Sequence, residues 1–226
     1  MPREQRSVHH ATRLYLEDVM IIPIDRFFAE MHLSDEEKKR REDMAYELYL
    51  LFSLLFTEIE AEKMLHEEID IEYYKEMVYR QYCEDVETYI VLVAALLGRK
   101  TLSNELKETI RERISDIVDT TLKFEDAYYT SSDRATLLAC NEANYIGNDT
   151  DYHIAEYQGY RHKQWITMND EKVRFTHSMV DGQTLEIDEY FRVGEAEMLY
   201  PMDMSRNAYE HPEETVSCRC TVAYLR

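Results

Sequence analysis

From Ser34 to about Tyr129 the apolar residues recur at steps of three and four, the spacing that gathers side chains on one face of a helix. Ala45, Leu48, Leu51, Phe52, Leu55, Phe56 and Ile59 make one such stripe. Ser34 followed by Glu37 predicts the helix start: a hydroxyl at the cap accepts a backbone N–H three residues on, and Met31-His32-Leu33 ends one helix and staples the next. A second stripe, Met77, Val78, Tyr82, Val86, Tyr89, Ile90, Val93 and Leu97, predicts a helix over 71–97. Gly98 then supplies a left-handed cap, and Arg99 and Lys100 suit the negative end of the helix dipole. Ser103 caps a third helix carrying Leu106, Ile110, Ile114, Ile117, Val118 and Leu122. A leading segment with Leu14, Met20, Ile21, Ile22, Phe27 and Phe28 is helical in character, with Pro23 interrupting it. Amphipathic helices joined by short turns predict an antiparallel bundle.

After Thr130 the pattern changes. One more helix is predicted from about Asp133 to Gln158, capped by Ser131 or Ser132, stopped by Gly159 and interrupted at Gly147. Beyond it the apolar runs are short. Residues 161–167, 184–187, 190–193 and 220–225 read as strands between Asp-Gly, Pro and Asn/Asp turns, and 173–179 as a short helix. The fold class is α+β: an N-terminal acidic helical bundle over 1–129, then a small α+β domain with a short-stranded sheet over 130–226.

Charge narrows the partners. Acidic side chains number 46 against 26 basic, a net charge of -20, and such a surface repels a phosphate backbone. The basic run Lys38-Lys39-Arg40-Arg41 follows Asp35-Glu36-Glu37 and reads as a solvated helix face of mixed charge. The 18 tyrosines read first as an amphipathic rim to the bundle core and second as interface material. The charged start, Met1 to Arg6, has no apolar stretch behind it, and the run Tyr89 to Leu97 is about half of the ~20 residues a membrane span needs. The expectation is a soluble protein made in a reducing cytoplasm.

Cys218 and Cys220 are two apart, so on a strand both thiols face one side and Arg219 the other. With His177 they are candidate ligands for a structural zinc; Cys140, Asp170 and His162 are further donors without a diagnostic spacing. The competing reading is two small thiols packed in a reduced core. Asp170, Arg174 and His177, at i, i+4 and i+7, would share a helix face, and Asp170 either pairs with Arg174 or caps a helix beginning near Glu171. An enzyme, a nuclease or a nucleotide-using transferase, could use His177, Asp170, Arg174 and Glu142 in a cleft. Against it, no nucleophile sits in a recognisable setting, and no phosphate-binding loop occurs among the five glycines. A network pinning loops to a small sheet is the favoured reading, with Trp165 as core anchor, a tight turn at Asp181-Gly182, and Arg219 reaching Asp203 or backbone carbonyls.

The order and spacing of Arg134, Glu142, Trp165, Asp170, Arg174, His177, Gly182, Phe191, Pro201, Asp203 and Cys218-Arg219-Cys220 resembles the phage Mu protein F-like head morphogenesis family, over roughly 134–224. That family has Thr where this chain has Asn141, and Gly between Pro and Asp where this chain has Met202. The resemblance implies a minor head protein of a tailed phage, made in the host bacterial cytoplasm and carried in the virion head. Its partners would be the portal or other head proteins, with packaged DNA met indirectly and no membrane or small-molecule substrate. Its role would be head morphogenesis and DNA packaging or delivery, with no catalytic residues and no cofactor beyond the candidate zinc.

Overall fold

In the computed structural model residues 21–65, 69–98 and 101–226 are described; the expectations at Leu14, Met20, Arg99 and Lys100 lie outside them. Helix α1 (Ile24–Ala29) follows Pro23, whose fixed φ suits the position before a first turn. Helix α2 (Asp35–Leu65) starts where the Ser34 hydroxyl accepts the Glu37 N–H at 3.2 Å. Half of the capping box forms, because the Glu37 carboxylate turns inward to Arg41 and Tyr89. Asp70 caps α3 (Ile71–Leu97) by accepting the Tyr73 N–H, and Gly98 ends it with φ 73°. Ser103 caps α4 (Asn104–Lys123) by accepting the Leu106 N–H. Every residue of the predicted α2 stripe is buried.

The fourth bundle helix is α5 (Ser132–Tyr157), capped by Ser131. Contacts between starts and ends fix the directions: Glu37 with Tyr89, Lys75 with Asp119, Thr121 with Arg134, and Arg41 with Asp151. Successive helices therefore run up, down, up and down, and α5 closes the bundle against α2. The expected division at 129/130 falls between α4 and α5, both of them bundle helices. Arg41 is fully buried and Arg40 is tied to Glu36 and Glu37, so only part of the basic run is the solvated face expected of it.

Helix α5 runs unbroken through Gly147, contrary to the expected interruption. The glycine makes room instead: a Cβ there would lie 2.3 Å from Arg41 Nε. Gly147→Ala is accordingly expected to lower stability by about 1–3 kcal/mol through overpacking, although in an exposed helix the same change gains about 1 kcal/mol. Urea unfolding followed by circular dichroism checks the sign, and a gain would contradict the packing described. Every residue from Ala139 to Thr150 is buried, since one side of α5 meets the bundle and the other meets the C-terminal segment. Gly159, at φ 75°, ends the helix as expected, with the Tyr160 N–H returning to the Ala155 carbonyl.

Past α5 come β1 (His162–Ile166), α6 (Phe175–Ser178), β2 (Thr184–Glu186), β3 (Phe191–Val193), β4 (Ala196–Met198), α7 (Pro212–Thr215) and β5 (Thr221–Leu225). Strand β1 is central, antiparallel to β2 and to β5, with Gln164 opposite both Thr184 and Ala223. A separate hairpin pairs β3 with β4, a strand absent from the sequence reading. Trp165 is fully buried, edge-on to His177 and to Phe191, with centroids 5.8 and 5.2 Å away. Lys163 is also buried; its Nζ donates to the Ile187 carbonyl at 2.6 Å, and burial lowers its pKa to about 8. At Tyr200-Pro201-Met202-Asp203 the Asp203 N–H donates to the Tyr200 carbonyl, and Met202 has φ 71°. Proline second and a positive φ third define a type II turn, which explains why glycine suits the place of Met202.

Candidate functional site

Several buried polar residues of α5 face the loop that carries the two cysteines or the loop at Pro201. Asn141 Oδ1 accepts the Ser217 N–H at 2.8 Å, beside a Ser217 backbone at φ 56°. Asn144 Oδ1 accepts from Arg41 Nη1 at 2.7 Å, while its Nδ2 donates to the Cys218 carbonyl at 2.8 Å. Asn148 does the same one turn on, accepting from Arg41 Nη1 at 2.9 Å and donating to the Pro201 carbonyl at 3.0 Å. Tyr200 donates its hydroxyl to Asp149 at 2.9 Å. Four side chains on one helix thus set the path of two loops. The Asn141 amide does its bonding from the position where the resemblance expects a threonine.

Two further buried groups anchor α5 to the bundle. Arg113 grips Glu142 with two bonds of 2.7 and 2.6 Å, and Tyr82 donates to the same carboxylate at 2.9 Å. Arg134 donates to the Thr121 hydroxyl and to the Tyr129 and Ile117 carbonyls, so its charge meets the C-terminal end of α4. Burial lowers its pKa to about 10.

The His177, Cys218 and Cys220 side chains come together where α6 meets the segment leading into β5. Their potential ligand atoms lie within 4.8 Å of one another, and all three residues are buried. His177 Nδ1 is 3.3 Å from Cys220 Sγ and 3.7 Å from Cys218 Sγ. Its Nε2 points the other way, 3.2 Å from Glu214 Oε2. Glu214 also accepts from Thr176 Oγ1 at 2.7 Å, and Gly194 leaves it space, since a Cβ there would sit 2.3 Å from Glu214 Oε1. Burial works against a charged His177, but the Cys218 thiolate beside it prevails and raises its pKa to about 9. A bond from Cys220 holds the Cys218 pKa well down.

The thiols face one way and Arg219 the other, as expected, although the regular strand begins only at Thr221. Arg219 reaches Asp170 at 2.5 Å and Glu30 at 3.4 Å, not Asp203. Asp203 accepts the Leu199 and Ser205 N–H groups and so closes its own turn. The Asp170–Arg174 pair does not form. Only 175–178 is helical, which removes the shared face, and Arg174 Nη2 donates to the Val216 carbonyl. Gly182, at φ 73°, makes the turn expected of it, next to Asp181, whose carboxylate accepts the Thr167 N–H.

His177, Asp170, Arg174 and Glu142 do not line one cleft: Asp170 is engaged by Arg219, Glu142 by Arg113, and His177 is 2% exposed. A 340 Å³ cleft lies between α4, α5 and the loop after β4, lined among others by Arg113, Tyr145, Asp149 and Asp203. Glu214, Arg41 and Arg113 escaped the sequence reading. Arg41 was hidden in a charge run, and neither Glu214 nor Arg113 belongs to a spaced pattern.

Residues 97–223 match the family described as Phage Mu protein F like protein. The match begins at the last residue of α3 and so takes in α4 and α5 together with the sheet and the cysteine cluster. No curated protein and no solved structure matches the chain.

Proposed function

The chain belongs to the phage Mu protein F like family of phage head proteins, and from that membership we propose that it is a minor head protein of a tailed phage. Its place is the virion head, in association with the portal, and its role is head morphogenesis and DNA packaging or delivery. The family match over 97–223 is the observation that carries this reading. The chemistry supports a structural part: the charged and polar residues of the family pattern are spent on bonds to other parts of the chain.

The surface supports a protein partner more than DNA. Net charge is -20, which opposes a polyanion. Tyr46, Leu50 and Leu54, four apart along α2, are exposed, as are Val91, Leu92 and Leu96 on α3; Leu50 is 61% and Leu92 65% accessible. Apolar side chains in such rows mark a surface that a partner covers. Among the described residues no helix is long and apolar enough to cross a membrane.

The test is capture of the full chain by the portal protein of the same phage, set beside a Leu50→Glu, Leu92→Glu double variant. Both positions are solvent-facing, so the variant should keep its circular dichroism and lose at least about tenfold in capture. Capture unchanged in the variant would overturn the assignment of these two rows. Failure of the unaltered chain to bind portal would overturn the portal association itself.

A further inference from the structure

We propose that His177, Cys218 and Cys220 bind one zinc ion through Nδ1 and the two Sγ atoms, tying α6 to the segment that enters β5. This does not depend on the head-protein reading; it rests on the donor geometry. In a tetrahedral zinc site with a Zn–N bond near 2.0 Å and a Zn–S bond near 2.3 Å, the nitrogen and sulfur ligands stand about 3.5 Å apart. His177 Nδ1 stands 3.3 and 3.7 Å from the two sulfurs. The nitrogen therefore already stands from each sulfur at the separation that a common metal ion would impose, with all three donors within 4.8 Å of one another.

The second observation is the other face of the imidazole. Metal-bound histidines commonly direct the second ring nitrogen at a carboxylate, which fixes the tautomer and the ring plane. Glu214 Oε2 lies 3.2 Å from His177 Nε2, on the side away from the thiols. Glu214 is itself held by Thr176, in the space that Gly194 leaves open. The carboxylate thus lies on the far side of the ring as its charge partner and is not a fourth ligand.

The third observation is the space beside the donors. A partly open cavity of 20 Å³ is lined by the three donors and, among others, by Met168, Lys172 and Arg174. A cavity of that size holds about one water molecule. A single water from this space would complete the fourth zinc position. Two thiolates balance the ion's two charges, which makes the assembly neutral and suited to burial. Soft sulfur donors with one imidazole favour zinc over magnesium or calcium.

The experiment uses the full chain, expressed in zinc-supplemented medium, purified under reducing conditions with an affinity tag other than polyhistidine, and assayed for metals by mass spectrometry. The expected content is roughly one zinc per chain. Replacement by cobalt should give a thiolate-to-metal charge-transfer band and the visible bands of a tetrahedral centre. Cys218→Ser should lose both metal and band, whereas Cys83→Ser, remote from the cluster, should keep both. Should Cys218→Ser fail to fold, the unaltered chain decides alone: a chelator should lower its unfolding temperature, and zinc but not magnesium should restore it. Zinc well below one per chain with no cobalt band overturns the proposal. So does a Cys218–Cys220 disulfide in the freshly purified protein, or a melting curve that the chelator leaves unchanged.

Discussion

Replacing Arg41 by alanine is expected to cost about 3–5 kcal/mol, a large share of the ~5–15 kcal/mol that holds a domain folded. The guanidinium is fully buried and satisfies groups on two helices: Glu37 at 2.9 Å, Asn144 at 2.7 Å, Asn148 at 2.9 Å and Asp151 at 2.6 Å. Removing it leaves the buried amide oxygens of Asn144 and Asn148 without a donor and takes a bond from Glu37 and from Asp151, and an unsatisfied buried acceptor costs about 1–3 kcal/mol. Lysine should not rescue, because a single ammonium lacks the planar fork that reaches both helices. Urea unfolding monitored by circular dichroism gives the number; a loss below about 1 kcal/mol would contradict this account.

The same site predicts a pH dependence. Burial by itself would raise the Glu37 carboxyl, but Arg41 outweighs it and holds the pKa below its ordinary 4.5. A carboxyl whose folded pKa is depressed contributes stability that is complete above the unfolded value and lost as the pH falls through the folded value. In Arg41→Ala the largest source of that depression is gone and only the bonds from Tyr89 and Arg40 still hold the carboxylate. Between about pH 6 and pH 3 the stability gap between the two proteins should therefore narrow. A gap that widens on acidification would show that Glu37 is not held by Arg41.

The other large effect is expected at Glu142. Glu142→Leu leaves the partly buried Arg113, on the wall of the cleft, without its carboxylate and takes the acceptor from the buried Tyr82, a loss of about 3 kcal/mol. Arg113→Met together with Glu142→Leu should recover most of that loss, since apolar residues of similar volume can replace a buried pair at little net cost. Urea unfolding of the two single variants, the double variant and the unaltered chain gives the coupling. Equal losses in the single and double variants would mean that Glu142 matters through packing and not through its charge.

Local signals are legible in this sequence and the partners of each element are not. Helix α3 lies at 71–97 as its stripe predicts, because apolar spacing and a glycine cap are properties of a short segment. What α5 packs against is not such a property. Its residues from Ala139 to Thr150 mix small, polar and apolar types, as two-sided burial requires, and no single periodicity describes them. Strand β4 was missed because three residues beside Gly194 carry too short an alternation. His177, Cys218 and Cys220 could be picked out by residue type, but their meeting point depends on the turns at Gly182 and Ser217. Asp170 was given the wrong partner: four-residue spacing matters only on a helix, and that helix begins five residues later, at Phe175.

The asparagines of α5 also bear on the order of assembly. Arg41 and Asn144 are 103 residues apart in sequence, and Glu30 and Arg219 are 189 apart. Closing loops of that length costs entropy before any contact repays it, so a molecule dominated by helices should refold more slowly than its helix content suggests. Until the C-terminal loop arrives, the amides of Asn144 and Asn148 can bond to water in place of the Cys218 and Pro201 carbonyls. That leaves a half-built α5 hydrated instead of sticky, and gives the nascent chain time to wait for its other half.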